Sequence, residues 1–181
     1  VARQCAEWAA ATISPIALEA EVFVSERAGH APELARAALA RGIRLVAAWG
    51  GDGTVNEVAS VVAFTGPALA IIPSGSGNGL ARELGIPLEP AEAFRTALGG
   101  AERIIDAGEL DGRLFFNIAG IGLDARVAQR FAAGGLVRRG LLRYLEITTH
   151  ELFTYNPDEH VVAVDRDVQR EWAVIVAPAN A

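Results

Sequence analysis

The sequence predicts an α/β protein in which an N-terminal domain with a parallel sheet is followed by part of a β-rich domain. Short apolar runs alternate with amphipathic helical segments through residues 1–100, as expected of parallel strands connected by helices. Two of these runs end in glycine-rich segments. After Gly99-Gly100 the pattern changes to strand, tight turn and strand, which places the predicted domains at 1–100 and 101–181.

The elements of the first domain follow from periodicity and from the residues that end helices and strands. The chain opens in a helical pattern, and a second helix begins near Pro32 and ends at Gly42. The β-branched and aromatic residues after Ser14-Pro15 predict a strand over Glu19–Val24. The other predicted elements are strands Ile43–Ala48 and Ala68–Ile72 and helices Val55–Phe64, Asn78–Leu84 and Ala91–Leu98.

The second predicted domain begins with a hairpin. Two predicted strands, Arg103–Leu110 and Leu114–Ile118, flank the dipeptide Asp111-Gly112, which favours a two-residue turn between antiparallel strands. Helices are predicted next and then strands, over Asp124–Phe131, Leu136–Thr149, Val161–Val164 and Trp172–Val176.

The composition excludes several classes of protein. Of the 181 residues, 51% are hydrophobic and 21% charged, which is too apolar for an intrinsically disordered chain. The formal net charge of −6 argues against nucleic-acid binding, which needs a basic surface. A single cysteine, Cys5, cannot form an internal disulfide framework and indicates a reducing compartment such as the cytoplasm. No apolar run is long enough to span a membrane.

The first glycine-rich segment, Trp49–Thr54, lies between a predicted buried strand and a predicted helix. Glycines let the backbone approach a phosphate closely, and Thr54 can cap the helix whose N–H groups would face the anion. The carboxylate of Asp52 would repel a phosphate unless a divalent cation or an attacking hydroxyl lies between them. The alternative is a tight turn in which Asp52 only caps the helix.

The second glycine-rich segment, Ile72–Arg82, also follows a predicted strand and opens a helix. Ser76 and Asn78 supply neutral donors that suit phosphate oxygens or a ribose. Leu80 occupies the place of the third glycine of a dinucleotide-binding fingerprint, so an oxidoreductase that binds flavin or NAD(P) is a weak alternative. The segment also lacks the lysine of a P-loop.

Four segments of the chain carry a family resemblance. They are Gly50–Val58, Ile72–Pro87, Ile105–Gly108 and Phe116–Ala125. In this order they resemble the catalytic domain of the diacylglycerol kinase family, which includes bacterial lipid kinases, sphingosine kinases and ceramide kinases. The resemblance implies an ATP-dependent kinase that phosphorylates a lipid hydroxyl, with an α/β nucleotide-binding domain, similar to NAD kinases and phosphofructokinases, followed by a β-sandwich.

The resemblance also implies the roles of individual residues. Glu57 would support the first loop, Ser25 matches a residue that contacts the nucleotide, and Asp124 lies where sphingosine kinases bind the lipid head group. Asp106 would join a network of Mg²⁺ and water at the phosphates. The residues expected to bind ATP are Gly50, Gly51, Asp52, Gly53, Thr54, Val55 and Asn56 in the first loop and Gly75, Ser76 and Asn78 in the second.

The catalytic carboxylate is expected to be Asp52 within this sequence. The resemblance places the family's first strand upstream of Val1 and the family's general base beyond Ala181. Asn78-Gly79 stands where many bacterial members have Asn-Asp and is closer to the sphingosine and ceramide kinase pattern. The acceptor could therefore be diacylglycerol, a sphingoid base or a related lipid.

Two alternatives to a lipid kinase follow from the same loops. The first is a kinase of small molecules similar to NAD kinase, which shares the first loop, and the second is a nucleotide-binding protein without catalysis. A lipid acceptor implies contact with a membrane surface, and a homodimer stays open. The apolar stretch Phe131–Leu145 either lies at an anionic membrane or packs on the second domain. It is accompanied by four arginines, Arg130, Arg138, Arg139 and Arg143.

Overall fold

The computed structural model describes residues 2–13, 20–133, 141–164 and 167–179. The helices, numbered in chain order, are α1 Ala2–Ile13, α2 His30–Ala40, α3 Asp52–Val62, α4 Gly79–Glu83, α5 Pro90–Gly99, α6 Leu123–Ala133 and α7 Leu141–Thr154. The strands are β1 Leu45–Gly50, β2 Ala68–Pro73, β3 Gly108–Leu110, β4 Arg113–Phe115, β5 Ile121–Gly122, β6 Asp158–Val164, β7 Asp167–Ala173 and β8 Ile175–Val176. The chain divides into two compact units, Val1–Ser74 with Ile86–Glu102 and Gly75–Gly85 with Arg103–Ala181.

The first unit contains the predicted parallel sheet. Strands β1 and β2 pair in parallel over their whole length, from Leu45 opposite Ala68 to Gly50 opposite Pro73. Helix α3 connects the two strands, and helix α2 precedes the first of them. This alternation of strands and helices confirms the α/β class that the periodicity predicts.

An aromatic cluster forms the core beneath the end of the sheet. Ile72, on β2, is fully buried and packs with Ala9 and Phe94. The rings of Trp8, Trp49 and Phe94 meet edge to face, with centroids 5.4–5.7 Å apart. Helices α1 and α5 thereby pack against Trp49 and Ile72, the next-to-last residues of β1 and β2, with which the two glycine-rich segments begin.

The prediction of a strand over Glu19–Val24 is wrong for residues 20–24, and Glu19 lies outside the described residues. Residues 20–26 have no regular secondary structure, and Phe23 is 56% exposed. Strand propensity alone does not form a strand, because its backbone groups need a neighbouring strand and its side chains a face to cover. Within the described part of the first unit, β1 and β2 pair only with each other.

The second unit contains the predicted hairpin. Strands β3 and β4 are antiparallel, and Asp111 and Gly112 both have positive φ, 50° and 73°, as the expected two-residue turn requires. The ring of Phe115 covers Gly108 so closely that a Cβ there would lie 2.2 Å from it. The first predicted strand is shorter than expected, because residues 103–107 are irregular and Ile104 is fully exposed.

Helices α6 and α7 form the core of the second unit. Leu123 and Val127 on α6 pack against Ile147 on α7, and Tyr155 covers the cluster. Strand β5 pairs with β8, and β6 with β7, all antiparallel. Residues 136–140 of the predicted helix Leu136–Thr149 lie outside the described residues. None of the helices in the described ranges is long and apolar enough to cross a membrane.

Phe64 has a strained backbone that predicts a stabilising substitution. Its φ is 61°, in the left-handed region, and its side chain is 89% exposed. Because asparagine tolerates this conformation and little burial is lost, Phe64→Asn should raise the free energy of unfolding by about 1 kcal/mol. Urea denaturation would measure the change. Phe64→Ala is the control, because alanine has the same Cβ but no polar side chain to hydrogen-bond with the local backbone, and equal stability of the two variants would contradict the prediction.

Candidate functional site

The two glycine-rich segments start side by side. Gly50 ends β1 and Pro73 ends β2, and the two residues are register partners. The backbone N–H of Ser74 donates a hydrogen bond of 2.9 Å to the carbonyl oxygen of Gly50. The starts of both segments therefore lie together at the carboxyl edge of the parallel strands, where open α/β sheets bind ligands.

Gly50 is required by the packing of the first segment. A Cβ on this residue would lie 2.6 Å from the Cβ of Thr54 and 2.8 Å from its Cγ2 and Oγ1 atoms. The methyl and hydroxyl groups of Thr54 thus lie directly against the backbone of Gly50. The close contact fixes the angle at which the chain leaves β1 and enters α3.

The start of α3 presents backbone donors. Gly51 is the N-cap, and its carbonyl oxygen accepts the first helical hydrogen bond from the N–H of Val55, at 3.0 Å. In any α-helix the N–H groups of the first turn precede this bond and face away from the helix interior. Together with the helix dipole they create a partial positive charge that favours an anion.

The side chains expected at the first segment divide into two groups. Asp52, Gly53 and Glu57 are exposed, whereas Val55 is 4% exposed and packs in the core. Because the N–H of Val55 is used within the helix, this residue supports α3 rather than offering a donor. Asn56 is half-buried, and its carbonyl oxygen accepts a hydrogen bond from the hydroxyl of Ser60.

The second segment is closed by Asn78. Its backbone is left-handed, with φ 55°, and its side chain is 9% exposed. The Oδ1 atom accepts from the N–H of Gly75 and the Nδ2 atom donates to the carbonyl oxygen of Gly75, both at 2.8 Å. Asn78, expected as a donor to the nucleotide, therefore uses these groups to shape the loop, while Ser76 at its tip is exposed.

The segment that contains Ser25 is held against α2 by ion pairs. Arg41 binds Glu21 with two hydrogen bonds, of 2.5 and 2.6 Å, and Arg27 pairs with Glu33 at 2.5 Å. The hydrogen bonds from Arg41 and Arg27 lower the pKa of Glu21 and of Glu33 below the usual glutamate value. These contacts are complete at neutral pH and weaken as the pH falls through the lowered pKa values. Ser25 itself is exposed.

Asp106 and Asp124 belong to the second unit, as do Gly75, Ser76 and Asn78. Asp106 is exposed in the irregular segment before β3, and Asp124 lies in the first turn of α6, with its side chain outside the described residues. Within the described ranges, no group of three or more His, Cys, Asp or Glu side chains could hold a metal ion. Mg²⁺ commonly binds through one or two carboxylates together with nucleotide phosphates and water, which a single exposed Asp52 fits.

The sequence did not predict a buried charge cluster in the second unit. Glu151 is fully buried on α7 and contacts Arg126 and Arg130 of α6. The spacing of the two arginines, four residues apart, places them on one helix face. No sequence pattern identifies their acidic partner, because it lies on another helix.

Comparison with known proteins relates this chain to lipid kinases. The sequence profile of the diacylglycerol kinase catalytic domain matches residues 2–110. The diacylglycerol kinase of Bacillus subtilis strain 168 is 42% identical over 107 residues, which cover 58% of this chain and 35% of that protein. A Pseudomonas syringae pv. syringae protein named "Probable lipid kinase YegS-like" is 34% identical over 152 residues, 78% of this chain and 50% of that protein.

A solved structure shows the same relationship. The crystal structure of a diacylglycerol kinase from Bacillus anthracis strain Sterne superposes with a TM-score of 0.61 at 27% sequence identity. The match covers 84% of this chain and 50% of that chain. The chain thus spans half or less of the length of these relatives.

Proposed function

The chain belongs to the diacylglycerol kinase catalytic-domain family, and on this premise we propose that it transfers the γ-phosphoryl group of ATP to a lipid hydroxyl. The observation that carries the proposal is the in-register pairing of β1 and β2, which joins the starts of both glycine-rich segments through the bond between Ser74 and Gly50. Relatives named as lipid kinase and diacylglycerol kinase support the acceptor class.

Phosphoryl transfer depends on positioning and on neutralising the charge of the transferring group. The first-turn N–H groups of α3 are fixed by the contact between Gly50 and Thr54 and need not reorganise when phosphates bind. The first glycine-rich segment carries neither lysine nor arginine, so at this segment the backbone donors and a metal would supply the positive charge. Mg²⁺, when bound with ATP, supplies charge neutralisation at the phosphates.

Asp52 is the catalytic carboxylate of the proposal. It is exposed in the first turn of α3, beside the N–H groups assigned to the phosphates. A carboxylate at this position can hold the metal through water or accept a hydrogen bond from the acceptor hydroxyl. Either role needs a negative charge close to the transferring group, which an asparagine would not provide.

The remaining assignments extend the proposal to both units. Ser76 and Ser25 are exposed hydroxyls suited to the nucleotide, and Asp106 is an exposed carboxylate suited to the network of metal and water. Asp124 would bind the lipid head group.

We further propose that the first unit is similar to the nucleotide domain of NAD kinases and that the antiparallel strands of the second unit belong to a β-sandwich. We also propose that the protein acts at a membrane surface.

The decisive experiment supplies the native full-length protein with γ-labelled ATP, Mg²⁺ and a panel of acceptors. The panel contains diacylglycerol, a sphingoid base and ceramide in mixed micelles, with NAD as the soluble alternative. Label in a lipid product is the expected result and identifies the acceptor. Label in NAD alone would assign the protein to the NAD kinase-like alternative. ATP binding without any labelled product would indicate a nucleotide-binding protein without catalysis.

A further inference from the structure

The cluster around Glu151 has an unusual charge arrangement for an ion pair inside a domain. The side chain of Glu151 is fully buried, whereas those of Arg126 and Arg130 are 44% and 47% exposed. The Nη1 atom of Arg130 lies 2.5 Å from Oε1 of Glu151, and the Nε atom of Arg126 lies 2.8 Å from Oε2. His150 approaches Oε1 through its Nδ1 atom at 3.3 Å. Two guanidinium groups therefore flank one carboxylate, which leaves one positive charge in excess.

The two guanidinium groups keep donors for another ligand. Oε2 of Glu151 has no hydrogen-bond donor among the described residues. The Nε atom of Arg126 is close to Oε2, but its N–H is not directed at that oxygen. The guanidinium of Arg126 instead lies over the ring of Tyr155, 5.9 Å from its centroid. Both arginine side chains are close to half exposed, so a ligand can reach them from solvent.

We propose that Arg126 and Arg130, held by Glu151, form a binding site for a phosphate group. Arginine binds phosphate oxygens through paired N–H donors, and a phosphate monoester carries a charge of about −1.5 to −2 at pH 7. Because Glu151 contacts both arginines in the free protein, and Tyr155 lies beneath Arg126, little side-chain entropy would be lost on binding. This site does not rest on the proposed kinase activity.

The phosphate can come from a lipid head group or from a soluble ester. Leu152 and Phe153 follow Glu151 in α7 and are 58% and 83% exposed. Exposed apolar side chains on the helix that carries Glu151 suit a phospholipid surface, so vesicles are included among the probes. Inorganic phosphate is the soluble probe. Both probes present a phosphate group to the proposed site. One presents it as a free ion and the other on a lipid.

The test compares single substitutions with a matched control. Arg126→Gln and Arg130→Gln each remove one donor group and leave Glu151 one arginine partner, so both variants should fold. Arg170→Gln removes the same charge from an exposed position on β7, opposite Val161. The native full-length protein and the variants would be titrated with inorganic phosphate, and with vesicles of phosphatidylcholine containing about one-fifth phosphatidic acid.

Each cluster substitution should weaken binding of at least one probe roughly tenfold, because a charge-assisted hydrogen bond is lost, while Arg170→Gln should not. Loss with both probes supports a general phosphate site, and loss with vesicles alone supports a site for lipid head groups. Equal binding by all variants overturns the proposal, because phosphate held elsewhere, as at the glycine-rich segments, would not respond to these arginines. Thermal unfolding of each variant distinguishes weaker binding at the cluster from a loss of fold.

Discussion

Asp52→Asn should lower lipid phosphorylation by roughly 10³-fold or more, to the background of the assay, while the protein stays folded. The substitution keeps the size and shape of the side chain and removes its negative charge. Asp52 is exposed in the first turn of α3, where an acidic residue stabilises a helix by only about 0.5 kcal/mol. The loss would therefore lie in the chemical step, which an assay with labelled ATP measures directly.

Glu92→Gln is the matched control for Asp52→Asn. Glu92 is an exposed acidic residue in the first turn of α5, in the same unit as Asp52. It undergoes the same change of charge in the first turn of a helix, although as the third helical residue rather than the first, and it lies away from the glycine-rich segments in sequence. The control should retain wild-type turnover. Turnover by Asp52→Asn equal to that of the control would reject the assignment of Asp52 as the catalytic carboxylate.

The part of the fold that the sequence predicts well is the part governed by local signals. The apolar runs that became β1 and β2, and the Asp111-Gly112 turn, need no information beyond their own residues. The segment 20–24 and the residues before Gly108 have the composition of strands but are irregular. Whether such a segment pairs depends on a neighbouring strand, which no local pattern contains.

The candidate site shows the same division. Sequence motifs locate Gly50 and Asn78, but not what each does: Gly50 makes room for Thr54, and Asn78 closes its own loop on Gly75. The pairing of Glu151 with Arg126 depends on how α6 packs against α7. A motif therefore indicates where a residue type is needed, whereas the physical reason emerges only from its contacts.

Gly50→Ala should be the most damaging conservative change in the first segment. The added Cβ would lie 2.6 Å from the Cβ of Thr54, an atom fixed by the backbone of α3, so rotating the threonine side chain cannot relieve the contact. Either the end of β1 or the start of α3 must move. Such overpacking costs about 1–3 kcal/mol of the free energy of unfolding. The displaced first-turn N–H groups should also weaken ATP binding by roughly tenfold or more, since phosphate binding requires their alignment.

Two further variants test whether the contact with Thr54, rather than a general intolerance of alanine, causes the effect of Gly50→Ala. They are Gly53→Ala and the double variant that combines Gly50→Ala with Thr54→Gly. A Cβ on Gly53 would meet no atom within 4 Å, and the residue lies within α3, so Gly53→Ala should keep or raise stability by up to about 1 kcal/mol. Thr54→Gly removes the atom that clashes with the new Cβ at position 50. If the contact is the cause, Gly50→Ala should destabilise the Thr54→Gly protein much less than the wild type. Equal destabilisation in both backgrounds would show that the close packing of Gly50 and Thr54 does not set the geometry of the loop.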